Sequence, residues 1–128
     1  MPQNASFDYA VLRVVPRVDR GEFINAAVVV YCREKRYLDV RVHVDEARLK
    51  ALWPDVDVAL VREHLGALER ICRGEAGAGP IAQLSESERF HWLTAPRSTI
   101  LQPSPVHTGV CDGVEGLVER LAGRLLGV

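Results

Sequence analysis

Two apolar runs near the start of the chain have the pattern of neighbouring β-strands. The first is the segment from Tyr9 to Pro16 and the second lies in the segment from Arg20 to Tyr31, and both are rich in β-branched and aromatic residues. Pro16 and Gly21 mark a loop between them that is dense in ionisable groups. The second run is apolar at odd and even positions alike, which predicts a central strand covered on both faces.

Strict alternation along this second strand assigns its residues to two faces. The even positions from Ile24 to Cys32 fall on one face, and the odd positions from Phe23 to Tyr31 fall on the other. A third strand, from Tyr37 to Val44, alternates apolar with polar residues and predicts one wet face. Because only the polar turn at 33–36 separates the last two strands, the first 44 residues are predicted to form an antiparallel meander.

The hydrophobic period then changes to about 3.6 residues, which indicates helices. Asp45 is predicted to cap a short helix that extends through Leu52 and stops at Pro54. Asp55 or Asp57 opens a longer helix that Gly74 ends. The apolar stripe of this longer helix, which we expect to pack on the sheet, consists of Val58, Val61, Leu65, Leu68 and Cys72.

Two further elements are predicted between residues 85 and 102. Ser85 and Glu88 have the spacing of a capping box, in which each side chain binds the other residue's backbone amide, and they predict a helix from Glu86 to Leu93. The segment from Ser98 to Gln102 is predicted to be a strand. The prolines that follow it cannot donate to a sheet ladder, which confines this strand to an edge position.

The last predicted element is an amphipathic helix from Val114 to Leu126. The whole pattern predicts an α+β fold, with an antiparallel sheet of about four strands and helices packed on at least one face. The chain has 128 residues, of which 48% are hydrophobic and 26% charged, as expected for a globular domain. A single domain over residues 1–128 is therefore predicted.

Charge and cysteine usage restrict the classes of partner. The net charge of -1 gives no bulk attraction to nucleic acid or to anionic lipid, so neither is an expected partner. Binding of nucleic acid would require the arginines to gather on one surface. The three cysteines are widely spaced and form no C-x-x-C pair, which argues against a disulfide scaffold or a zinc site and fits a reducing cytoplasm.

Neither secretion nor membrane insertion is expected. The first six residues lack the charged and apolar regions of a leader peptide. The longest apolar run, from Ala26 to Cys32, is far too short to cross a bilayer. Together with the cysteine usage, these features predict a cytoplasmic protein.

One candidate binding cluster surrounds the first hairpin loop. Arg13, Arg20 and Glu22 lie there, and gathered arginines can hold a phosphate or a carboxylate by bidentate hydrogen bonds. In the alternative interpretation, Arg20 and Glu22 pair with each other in a solvated loop. Asn25 places an amide inside an apolar strand, where it must bind the neighbouring backbone or face a site.

A second candidate cluster contains Arg89, Arg97 and Gln102 near two aromatic residues. His91 lies in the same segment and can act as a base near neutral pH, but no spacing supplies a nucleophile or an orienting acid. The catalytic residues therefore stay unassigned, and Trp53 and Trp92 are interpreted as packing groups. The four histidines show no i, i+4 pairing, so no metal site is predicted, and no cofactor is predicted either.

The need of buried polar groups for hydrogen-bond partners predicts that the two clusters lie close together in space. Amides and arginines beside apolar strands need partners, and each cluster is rich in them. We therefore expect Asn25 or Glu22 to lie near Arg97 or Gln102.

With both segments in view, the chain resembles a family of small bacterial proteins, domain-of-unknown-function family thirty thirty-seven. The resemblance rests on the segments 9–16, 20–25 with the valines that follow, and 89–109. The pair Ala26-Ala27 stands where Val-Gly is expected. The resemblance implies that both motifs belong to one domain, but it names no reaction. It also implies a protein partner, with a kinase resembling the persistence-toxin kinase as the candidate.

The favoured functional hypothesis is a non-enzymatic accessory or adaptor protein, because the polar residues of the two motifs show no recognisable catalytic pairing. The alternative is a small enzyme or ligand-binding domain for a phosphorylated or nucleotide-like substrate. Its pocket would be surrounded by Arg13, Arg20, Glu22, Arg89 and Arg97. Including the two amides, the predicted ligand-binding residues are Arg13, Arg20, Glu22, Asn25, Arg89, Arg97 and Gln102.

Overall fold

The computed structural model describes residues 4–128, so Met1 to Gln3, on which part of the leader-peptide expectation depends, lie outside the described residues. The described part has an α+β fold with an antiparallel sheet, as predicted, although the sheet has five strands and not about four. The strands are β1 (Ala5–Val14), β2 (Ile24–Cys32), β3 (Tyr37–Val42), β4 (Leu101–Pro103) and β5 (His107–Cys111). The helices are α1 (Glu46–Leu52), α2 (Val58–Cys72), α3 (Glu86–Leu93) and α4 (Leu117–Leu126).

β1 organises the sheet, because three other strands pair with it. β2 lies on one side of β1, with β3 beyond it, which confirms the predicted meander and the central place of β2. On the other side, residues 12–14 of β1 pair with β4 and residues 5–9 pair with β5. β4 is at an edge, as the prolines predict, whereas β5 is a strand that the sequence pattern does not predict.

Ser104 joins β4 to β5 alongside β1. Its backbone N–H donates to the carbonyl of Val11 at 2.7 Å, and its hydroxyl accepts from the Val11 N–H at 2.9 Å. The neighbouring Pro103 and Pro105 have no N–H to offer. The buried serine therefore provides hydrogen-bond partners for the backbone N–H and carbonyl of Val11, where the backbone ladder between the strands is interrupted.

A β-bulge in β2 changes the predicted assignment of faces. Leu12 lies opposite Ala27, but the next residue of β1, Arg13, lies opposite Asn25, so Ala26 is an extra residue. The bulge reverses the alternation, and Ile24 packs in the same core as Val29. The prediction of strict alternation from Ile24 to Cys32 is therefore wrong at the start of the strand, since a bulge shifts the two-residue period by one.

The first three helices begin where their side-chain caps predict. Asp45 and Asp57 each accept a hydrogen bond of 3.0 Å from a backbone amide in the first turn of the helix that follows. Ser85 and Glu88 form the predicted capping box at α3. A short 3-10 helix at Ile81–Gln83 precedes α3. None of the helices within residues 4–128 has both the length and the apolar character that spanning a bilayer requires.

Helices cover both faces of the sheet and enclose two cores. On one face, here called the three-helix face, α1, α2 and α3 pack against β1 and β2. On the opposite face, the α4 face, α4 packs against β2 and the end of the sheet that contains β5. In the predicted stripe of α2, Val61 and Leu65 are buried, while Val58 and Leu68 are half-buried.

Candidate functional site

The two polar motifs of the sequence meet in the sheet at Arg13. This residue lies opposite Asn25 of β2 on one side and opposite Gln102 of β4 on the other. Residues directly opposite each other on neighbouring strands project to the same face, and adjacent strands lie about 4.8 Å apart. Arg13, Asn25 and Gln102 therefore form a polar row across the α4 face, and the predicted convergence is present for Asn25 and Gln102.

The amide of Asn25 binds the end of a helix. Its Nδ2 donates to the carbonyl oxygen of Leu125, in the last turn of α4, at 3.3 Å. Carbonyl groups in the last turn of a helix have no N–H partner within that helix. Asn25 thus provides a hydrogen-bond donor for a carbonyl in the last turn of α4 and holds the end of this helix on the sheet. This role is structural.

The guanidinium of Arg13 is covered by an aromatic ring. Its central carbon lies 4.1 Å from the centre of the Phe23 ring. Nε of Arg13 is buried and has no hydrogen-bond partner within residues 4–128. A cation–π contact contributes roughly 0.5 to 2 kcal/mol, which offsets part of the cost of that unbonded nitrogen.

Ion pairs hold the loop between β1 and β2. Nε of Arg20 lies 2.6 Å from Oε1 of Glu22, and both side chains are about half exposed. This contact confirms the interpretation in which the two residues pair with each other. Arg17 donates two hydrogen bonds to Asp19, and these bonds lower the pKa of the Asp19 carboxyl.

A second arginine at this loop also stacks on an aromatic ring. The guanidinium carbon of Arg17 lies 4.8 Å from the centre of the Trp53 ring. Trp53 is the residue that directly follows α1. Phe23 lines a hollow together with Ala51 and Leu52 of α1, the helix that Trp53 directly follows. We call the set of Arg13, Arg17, Val18, Phe23 and Trp53 the arginine–aromatic surface.

Arg89 connects α3 to the end of α2. Its Nη1 donates to the carbonyl of Leu84 at 2.6 Å, and its Nε donates to the carbonyl of Cys72 at 3.4 Å. Gly74 leaves room for this guanidinium, because a Cβ there would lie 3.3 Å from its central carbon. The φ of +67° favours a glycine at this position, and a Cβ there would also crowd the carbonyl of Ala82 and the Arg89 guanidinium.

Arg97 binds the carbonyl groups at the end of α3. Its two Nη atoms donate to the carbonyls of Trp92 and Leu93 at 2.6 and 3.3 Å, and the guanidinium stacks on the Trp92 ring at 4.7 Å. Burial lowers the pKa of Arg97. Arg97 also lines a cavity of about 310 Å³ between α2, α3 and β4.

The seven predicted site residues thus occupy three places. Arg13, Asn25 and Gln102 form the polar row, and Nε2 of Gln102 also donates to the Thr99 carbonyl at 2.9 Å. The other four are Arg20 and Glu22, which lie in the exposed hairpin loop, and Arg89 and Arg97, which bind helix ends in the helical layer.

Sequence reasoning did not identify the contact between Arg17 and Trp53. Two signals were available: Trp53 stands directly before Pro54 at the end of a short helix, and Phe23 follows a polar loop. Bringing these side chains together depends on where α1 lies relative to the hairpin. The hydrophobic pattern does not determine that placement.

The histidines take part in local contacts. Nδ1 of His91 lies 2.7 Å from the carbonyl oxygen of Ser87, one turn earlier in α3, and the His107 ring packs against Tyr9. Among residues 4–128, no three side chains of the His, Cys, Asp or Glu type are grouped so that they could hold a metal ion.

The comparison with protein families gives one match. The profile described as "Protein of unknown function (DUF3037)" matches residues 9–126, which is nearly the whole chain. The chain belongs to this family. No curated protein and no solved structure matches it significantly. The matched range includes the hairpin, the polar row and α4, and the description assigns no activity to the family.

Proposed function

We propose that this DUF3037 protein is a non-enzymatic accessory or adaptor protein that binds a protein partner through the arginine–aromatic surface. The observation that supports the proposal is the pair of arginine–aromatic stacks beside the hairpin loop. Tryptophan, arginine and other aromatic residues are enriched at protein interfaces and account for much of their binding energy.

The exposure of this surface suits it to binding. Val18 is 49% exposed and Phe23 44% exposed, so apolar area is available to a partner. The stacking of Arg13 and Arg17 on aromatic rings restricts their side chains before any partner arrives. Side chains held in this way lose less conformational entropy on binding.

The charges near the surface favour a partner with acidic groups. The two carboxylates of the loop, Asp19 and Glu22, are each paired with an arginine of the same loop. Arg13 and Arg48, which lies beside Phe23, add two further positive charges. Excess positive charge at an interface steers acidic partners and disfavours basic ones.

A kinase resembling the persistence-toxin kinase is the first partner to test, because the family resemblance implies it. Calorimetric titration of the purified kinase with this protein should give saturable binding. Arg17→Glu combined with Phe23→Ser should weaken it about tenfold or more, since removal of central aromatic and arginine residues costs on the order of 2 kcal/mol.

The control on α2 also replaces one arginine by glutamate and one exposed apolar residue by serine. Arg62→Glu with Leu60→Ser removes an arginine and an exposed apolar residue away from the hairpin, and this variant should bind as the wild type does. If the kinase does not bind, the same pair of variants is compared in affinity purification from the source cell. Equal recovery of partners by both variants, or saturable stabilisation of the protein by nucleotides, would overturn the proposal.

A further inference from the structure

A cavity between α2, α3 and β4 has the properties of a small-molecule site. Its volume is about 310 Å³, at the lower end of the range for ligand pockets. Its walls include His64, Leu68, Ile71, Trp92, Arg97 and Ile100. The apolar residues among them are half-buried and pack on the core of the three-helix face, so the walls are formed by ordered elements.

Arg97 is the main source of free hydrogen-bond donors on the cavity walls. The guanidinium of Arg97 has five N–H donors, and its contacts with Trp92 and Leu93 use only two of them. The hydroxyl of Thr99, also on the wall, donates to the carbonyl of Leu101 at 3.0 Å. No carboxylate of residues 4–128 lies within 4.0 Å of the Arg97 nitrogens. A half-buried arginine without an anionic partner therefore lies on the wall of a mainly apolar cavity.

We propose that this cavity binds a small carboxylic acid with an apolar body, whose carboxylate is held by Arg97 and whose body lies against Leu68, Ile71 and Ile100. The guanidinium matches a carboxylate in shape, since both are planar and can form two parallel hydrogen bonds. A phosphate carries up to two negative charges, which the single guanidinium on the walls does not neutralise. This site is separate from the arginine–aromatic surface, and it goes beyond the proposed function.

Titration of the full-length protein with para-fluorobenzoate, followed by fluorine NMR, tests this inference. We expect saturable binding. The neutral analogue para-fluorobenzamide should bind about tenfold or more weakly, because hydrogen bonds to a charged group are stronger than those between neutral groups. Absence of saturable binding, or equal affinity for the acid and the amide, would overturn the inference.

Three variants separate the site from general effects on folding. Arg97→Gln should remove the preference for the acid, but it also disturbs the contacts at the end of α3. Ala67→Phe fills the cavity from α2 and leaves those contacts in place, so it should abolish binding while the thermal midpoint stays near that of the wild type. Arg62→Gln, on the exposed side of α2, should bind the acid normally. Undiminished binding by a folded Ala67→Phe variant would refute the site.

Discussion

Arginine side chains complete several helix ends in this protein. Arg89 and Arg97 each donate to backbone carbonyls near the end of a helix, where four carbonyl groups lack partners and the helix dipole is negative. Lys35 and Lys50 are the only lysines among the 16 basic residues of the chain. A branched, planar guanidinium can reach two carbonyls at once, which a lysine ammonium does less well.

Gly109 leaves room for the Phe7 ring where β5 pairs with β1. It lies opposite Phe7, and a Cβ at this position would come within 2.6 Å of the Phe7 ring. Gly109→Ala should therefore destabilise the protein by about 1 to 3 kcal/mol, measured by urea denaturation, because the ring must move from a packed core. Gly113→Ala is the control, since nothing lies within 4 Å of its Cβ position. Equal effects of the two changes would contradict this account.

The thiol of Cys72 should be unreactive in the folded protein. Burial raises its pKa from 9.0 to about 12, so the thiolate is scarce at mildly alkaline pH. Alkylation followed by peptide mass spectrometry should show much slower modification of Cys72 in the native than in the urea-unfolded protein. Because the folded pKa is raised, the associated stability is present below pH 9.0 and is lost as the pH rises towards 12. Rapid native alkylation near neutral pH would contradict the burial.

At the level of elements, the helices could be predicted almost fully and the strands only in part. Asp45, Asp57 and Ser85 begin the helices that follow them, since a capping side chain and the residues it serves are neighbours in sequence. β5 could not be predicted, because its five residues have no apolar alternation and its pairing with β1 spans about 100 residues. The same limit applies to the site: the ion pair of Arg20 and Glu22 is local, whereas the contact between Arg17 and Trp53 is not.

Leu65 tests the packing of α2. Its side chain is fully buried in the core of the three-helix face, so Leu65→Ala should cost about 2 to 5 kcal/mol of unfolding free energy. Leu60 lies on the same helix and is 41% exposed, and Leu60→Ala should cost less than about 0.5 kcal/mol. Chemical denaturation with each variant measures both values. Similar costs for the two leucines would mean that α2 packs in a different orientation.

At the level of the whole molecule, the sheet makes the two cores interdependent. β2 contributes Val29 to the core on the three-helix face and Val28 to the core under α4. Loss of either core would expose one face of the central strands to water. The domain is therefore expected to unfold in one cooperative transition.

Leu121 provides the test, because it lies in the core under α4 whereas Trp92 packs against the opposite core. Leu121→Ala should shift the unfolding transition followed by tryptophan fluorescence and the one followed by far-ultraviolet circular dichroism by the same amount. The expected loss is about 2 to 5 kcal/mol. A fluorescence transition that stays in place while the dichroism transition moves would show that the cores unfold separately.

The extra residue in β2 also determines which side chains at the start of this strand face α4. Ala26 has no opposite residue in β1. The odd-numbered Asn25 therefore faces α4 before the bulge, whereas even-numbered residues such as Val28 and Val30 face α4 after it. Regular pairing of the same residues would place Ala26 opposite Arg13 and Asn25 opposite Val14, and it would exchange the faces of Ile24 and Asn25. The amide would then enter the core that contains Leu12 and Leu101, and the end of α4 would meet an isoleucine. The bulge, as well as the composition of the strand, thus decides whether the hairpin motif and the C-terminal helix meet.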